Sequence, residues 1–99
     1  MPKKSTLLLE NVCQQISLDE AAKLLGWAKP TLQSFMSRQQ RDQDEWRWLK
    51  GVVYFQTSEM GAIVFNRYML SMWQIAKSQN DPGIYLNAIS RFQEVVRGN

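Results

Sequence analysis

Apolar residues fall at helical spacing from Leu18 onward, with Leu18, Ala21, Ala22 and Leu25 sharing one side of a cylinder. Ser17 precedes this run and Glu20 follows it by three residues, the spacing of a capping box in which side chains satisfy the first free amides of a helix. Asp19 and Glu20 suit the positive end of that helix, and Gly26 stops it. A second stripe, Leu32, Phe35 and Met36, begins just after Pro30. Proline lacks an amide proton that a first helical turn does not use, so the pattern predicts a helix from Lys29 to Arg38. Lys29, Thr31, Gln33, Ser34, Ser37 and Arg38 occupy the remainder of its surface.

Residues 39–45 carry no apolar side chain and read as a loop. The texture then changes. Trp46, Trp48 and Val52 to Phe55 favour strands and flank Leu49-Lys50-Gly51, which predicts a two-stranded hairpin with Gly51 at a positive-φ turn position. Thr57 or Ser58 is placed to cap a helix that carries Ile63, Val64, Tyr68, Met69, Met72, Trp73 and Ile75 and ends near Gln79. Asn80-Asp81-Pro82-Gly83 reads as a turn. A last helix then presents Ile84, Tyr85, Ala88, Ile89, Phe92, Val95 and Val96 as one stripe. Ahead of Ser17, Ser5 can cap a short helix to about Gln15 with Leu8, Leu9, Val12 and Ile16 on one side. A strand through Leu7 to Leu9 is the competing reading. The expected fold class is mainly α: a helix-turn-helix with a small two-stranded β wing and two C-terminal helices. No repeat or linker divides residues 1–99, which read as one domain with a winged helix-turn-helix over 5–56 and a helical tail over 57–97.

Charge and composition narrow the function. Twelve basic against nine acidic residues leave a net charge of +3, which permits a polyanionic partner without requiring one. Placement says more: from Lys29 to Arg41 the cations are Lys29, Arg38 and Arg41, and no carboxylate lies among them. The chain has no histidine, and Cys13 is its single cysteine, which rules out a Cys/His zinc cluster and an intramolecular disulfide. Cys13 reads as a small buried hydrophobe, and a reducing cytosol suits this inventory. Leu7 to Leu9 is far too short for a signal-peptide core, and no stretch approaches the roughly 20 apolar residues of a membrane span. A cytoplasmic protein without membrane contact is expected. Carboxylates gather only in Asp42-Asp44-Glu45, which reads as a solvated loop, and no glycine-rich phosphate loop occurs. The chain is therefore expected to be no enzyme, with neither cofactor nor metal. Trp27, Trp46, Trp48 and Trp73 read as core residues, Trp46 and Trp48 covering the core from one side of the first wing strand.

The segment from Ser17 to Arg38 resembles the helix-turn-helix of excisionase and MerR-like winged regulators. Ala21 and Ala22 let two helices approach closely, Gly26 permits the turn, and Trp27, Leu32 and Phe35 anchor the second helix on the first. The hairpin at Gly51 extends the likeness to roughly residues 16–65, because these families follow the two helices with a β wing and a third helix. The polar loop before Trp46 and the long tail after Ser58 depart from it. The resemblance implies that the helix from Lys29 to Arg38 enters the major groove of double-stranded DNA. Lys29, Gln33, Ser34 and Ser37 would then meet base edges, Thr31 and Arg38 would grip phosphates with Arg41 beside them, and Arg47 and Lys50 on the wing would reach an adjacent backbone or minor groove. The function so implied is sequence-specific DNA binding by a small transcriptional regulator or excisionase-like factor. A protein-interaction module that works through its C-terminal helices, with the helix-turn-helix as scaffold, is the competing reading. Ile63 to Trp73 is apolar on more than one helix face, which calls for a second packing partner: either the last helix or a second copy in a homodimer formed through residues 58–97.

Overall fold

Ser17 begins the first helix as its spacing predicts. In the computed structural model, which describes residues 14–39, 45–56 and 61–98, helix α1 spans Leu18–Leu25. The Ser17 hydroxyl accepts the Glu20 amide at 3.2 Å and donates to the Glu20 carboxylate at 3.3 Å. At the other end the Trp27 amide donates to the Ala22 carbonyl and the Gly26 amide to that of Lys23, a pair of bonds that needs the left-handed backbone of Gly26 at φ +73°. Helix α2, Lys29–Gln39, follows after three residues, Gly26 to Ala28. Ala21 and Ala22 are buried where α1 meets its neighbours, and Leu32 and Met36 are buried beneath α2.

The strands depart from the sequence reading. Trp46 to Trp48 is not a strand, and the turn at Gly51 does not join two wing strands. Leu49 instead accepts bonds from both the Val52 and Val53 amides, and Gly51, at φ +86°, donates to the Tyr54 carbonyl at 2.7 Å. Strand β2, Tyr54–Phe55, pairs forward with β3, Val64–Asn66, through Tyr54↔Phe65 and Phe55↔Val64. The far edge of β3 receives β1, Gln15–Ile16, so the antiparallel sheet runs β1-β3-β2. The β wing is thus the β2–β3 ribbon, one strand later in the chain than predicted.

The physical reason lies in Trp48, which is 1% exposed. Its segment is held by side chains rather than by a ladder. The Trp48 amide donates to Gln39 Oε1 at 2.7 Å, Trp73 Nε1 donates to the Trp46 carbonyl at 3.0 Å, and the Tyr85 hydroxyl donates to the Arg47 carbonyl at 2.7 Å. Around the Trp48 ring stand Phe35 at 4.7 Å, Trp73 at 5.3 Å, Phe65 at 6.1 Å and Trp27 at 6.3 Å between centroids. Trp46 is half-buried with the Lys77 ammonium 4.7 Å from its ring centre. Trp48 and Trp73 are buried in the core and Trp27 and Trp46 are half-buried against it, although not as a strand face.

The third helix also starts later than its apolar run suggests. Helix α3 spans Arg67–Gln79, capped by the buried Asn66, whose Oδ1 accepts the Met69 amide at 3.1 Å. Ile63, Val64 and Phe65 were assigned to this helix by periodicity. A β-branched and aromatic run serves equally as a buried strand, and two flanking strands recruit it as the centre of the sheet. The predicted caps Thr57 and Ser58 lie outside the described residues. So does nearly all of the segment from Ser5 to Gln15, including Cys13; its last residue, Gln15, is in β1. Asn80, at φ +51°, ends α3, and Asp81 caps α4, Pro82–Arg97, by accepting the Gly83 amide. The two helices pack against each other, and Gln74 ties α3 to the Leu24 carbonyl of α1. Among the described residues no helix is long and apolar enough to cross a membrane.

Replacing Trp48 with Ala empties the centre of this core and should cost about 3–5 kcal/mol in urea unfolding. Tyr85→Phe removes one hydrogen bond and should cost about 1 kcal/mol. A Trp48→Ala variant as stable as the parent would show that the aromatic cluster does not hold the fold.

Candidate nucleic-acid interface

Helix α2 divides cleanly between core and solvent. At 100° per residue, Phe35, Gln39, Leu32 and Met36 lie on one side. Lys29, Thr31, Gln33, Ser34, Ser37 and Arg38 are all exposed on the other. Gln39, expected to open the polar loop, is instead the last residue of the helix and is buried, where its Oε1 accepts the Trp48 amide.

Two depressions border the exposed face. A shallow one of about 470 Å³ follows the crest of α2 and is lined by Pro30, Gln33, Ser34, Ser37 and Arg38. A groove of about 720 Å³ separates α2 from the β2–β3 ribbon and the start of α1. Its rim carries Asp19, Lys29, Gln33, Ser37 and Lys50, and its floor includes Met36 and Phe65. The structure therefore brings together Lys29, Gln33, Ser37 and Lys50, while Gln33 and Ser37 also belong to the crest with Ser34 and Arg38. Thr31 is exposed but borders neither depression. Arg47 is half-buried in the segment before the Gly51 turn and lines neither. Arg41 lies outside the described residues.

Three groove residues escaped the sequence reading. Tyr54 and Gln56 line its ribbon side, and Gln56 Nε2 donates to the Gly61 carbonyl at 2.9 Å. Tyr54 falls in the strand that the sequence predicts, which takes a different partner, and Gln56 lies just beyond it. Asp19 was read only as a complement to the helix dipole; it also bonds Lys29, with Oδ1 and Nζ 2.8 Å apart. Both side chains are more than half exposed, at 62% and 56%, so the pair matters less for stability than for charge. With Lys29 and Lys50 positive and Asp19 negative, the described residues of the groove rim hold one net positive charge. Among the described residues no group of three His, Cys, Asp or Glu side chains could hold a metal ion.

The hydrogen bond from Lys29 and then its charge hold the Asp19 carboxyl below its ordinary value of 3.8, with a small contribution from Lys23. A depressed folded-state value means that the pair favours the folded state above pH 3.8 and that this contribution fades as pH falls through the folded value. The pair is consequently intact across the neutral range. A carboxyl-carbon NMR titration should place the Asp19 midpoint below 3.8, and Lys29→Met should raise it; an unmoved midpoint would contradict the pairing. The order of helices and strands is that of a winged-helix-type fold in general, and no protein-family model, curated protein or solved structure matches the chain.

Proposed function

We propose that this chain binds double-stranded DNA, with α2 in the major groove and the β2–β3 ribbon against the adjoining backbone. The observation that carries this reading is the exposed face of α2. It presents two cations and four hydrogen-bonding side chains, has no carboxylate of its own, and is backed by a rigid aromatic core. The major groove is about 12 Å wide and accepts a helix of this size. Gln33 suits adenine, Lys29 suits guanine, and Ser34 and Ser37 suit either. Thr31 and Arg38 flank the reading face and serve phosphates, as does Lys50 across the groove. Arg41 and Arg47 extend the same backbone contacts. The reading, supported by the resemblance of residues 17–38 to excisionase and MerR-like regulators, is of a small cytoplasmic transcriptional regulator or recombination factor that binds without chemistry of its own and without a cofactor.

A second reading draws on the helical tail. Ile75 is 47% exposed on α3, and Leu86 and Val96 are 43% and 50% exposed on α4. Such side chains suit a protein contact, which in a DNA-binding protein would join two copies so that their α2 helices meet half-sites about 34–36 Å apart. In a pure interaction module the same tail would be the whole working surface.

Fluorescence anisotropy on random and selected duplexes separates the readings. DNA binding predicts that log affinity falls linearly with log salt, and that Arg38→Ala and Lys50→Ala each flatten the slope by about 0.9. Gln33→Ala should cost about 1–3 kcal/mol on the selected site and relax preference at one base pair. Affinity that ignores salt, or is unchanged in a Lys29→Ala/Arg38→Ala double variant, would leave the tail as the functional surface.

A further inference from the structure

Among the described residues, the one carboxylate on the groove rim is bonded to the cation that begins the reading helix. Asp19 belongs to the first turn of α1, ten residues before Lys29, and the Gly26 turn brings the two side chains within 2.8 Å. Its neighbour Glu20 is engaged differently: it bonds the Ser17 hydroxyl and borders a separate depression beside β1 with Gln14 and Ile16. Acidity at the start of α1 is therefore not a diffuse property of the helix end. One carboxylate is directed at Lys29, and the other is turned away.

A lysine ammonium has three donors and no acceptor. When Asp19 takes one, the flexible lysine stem is tethered and its charge is balanced, yet two donors remain for neutral acceptors such as guanine O6 and N7. A phosphate gains little from a cation already neutralised, because its attraction depends on displacing condensed counterions with net protein charge. We propose that Asp19 is a specificity-determining residue: it withholds Lys29 from phosphates and presents it to base edges, so that non-specific duplex binding is weakened more than binding at the target site. This rests on the DNA-binding reading of the same face. In that division, Arg38 and Lys50, to which no carboxylate is bonded by an ion pair among the described residues, supply phosphate contacts, while Lys29 contributes sequence discrimination.

The test is a double-variant cycle read as salt dependence on a random-sequence duplex and on a selected duplex. Asp19→Asn keeps the size of the side chain and removes its charge. It should tighten random-duplex binding and steepen the slope of log affinity against log salt by about 0.9, the share of one added phosphate contact. Its advantage over the parent should accordingly shrink about 3.5-fold between 50 and 200 mM salt. The ratio of selected to random affinity should fall. In a Lys29→Ala background the same Asp19→Asn change should alter neither slope nor ratio. Circular dichroism of each variant checks that the helices are retained. If the parent chain binds duplex with salt dependence but Asp19→Asn leaves slope and ratio unchanged, the role of Asp19 is overturned while DNA binding stands. If Asp19→Asn acts equally with Lys29 absent, the carboxylate merely repels phosphate and the proposal is likewise overturned. If the parent binds no duplex at any salt concentration, both readings fall together.

Discussion

Burial of Trp48 sets the position of every element around the exposed face of α2. Its ring is in contact range of Phe35 from α2, Trp73 from α3, Phe65 from β3 and Trp27 from the turn between α1 and α2. A side chain of this size contributes both buried area and favourable ring geometry. Because the interior is close-packed, the angle between the helix-turn-helix and the α3–α4 pair cannot drift without opening a void at this ring. The backbone on either side is fixed by bonds from Gln39, Trp73 and Tyr85, so three helices hold one irregular segment. Backbone polar groups removed from water need partners, and here the helices supply them.

This arrangement explains how a short helix can serve as a reading surface. Leu32 and Met36 seat α2 on the core, and its outer side is polar apart from Pro30. The β2–β3 ribbon stands beside it because β3 is tied down twice, by β1 on one edge and by Asn66, which begins α3, at its end. Groove, ribbon and helix thus share one rigid support. The Asp19–Lys29 pair adds the only carboxylate on the groove rim among the described residues.

What could be read from the sequence was local. The Ser17 cap, the Gly26 stop, the Pro30 start and the Asn80-Asp81-Pro82-Gly83 turn all depend on residues within a few positions of one another, and each element boundary stands close to its expected place. The polar residues of α2 were also legible, since helical periodicity separates Lys29, Gln33, Ser37 and Arg38 from Leu32 and Met36 without reference to the rest of the chain. Strand pairing was not. Val52 to Phe55 looks for its partner nearby, and only the removal of Trp48 into the core makes Val64 to Asn66 the available edge. The ambiguity of Ile63-Val64-Phe65 is the same failure seen from the other side, because a short apolar run has no period that distinguishes strand from helix. Gln39 lay hidden in a polar stretch, and its burial follows from the position of Trp48 rather than from its own chemistry. Asp19 was visible as an acid but not as a partner of Lys29, since that contact spans a turn whose exact course decides it.

The central claim is that the outer face of α2, and not the helical tail, meets the partner. Amide chemical-shift mapping of the chain titrated with duplex DNA bears on it directly. Perturbations concentrated at Lys29, Thr31, Gln33, Ser34, Ser37, Arg38 and Lys50, with Ile75, Leu86 and Val96 unmoved at protein concentrations too low for self-association, are the predicted result. Perturbations confined to α3 and α4 while α2 stays silent would contradict it.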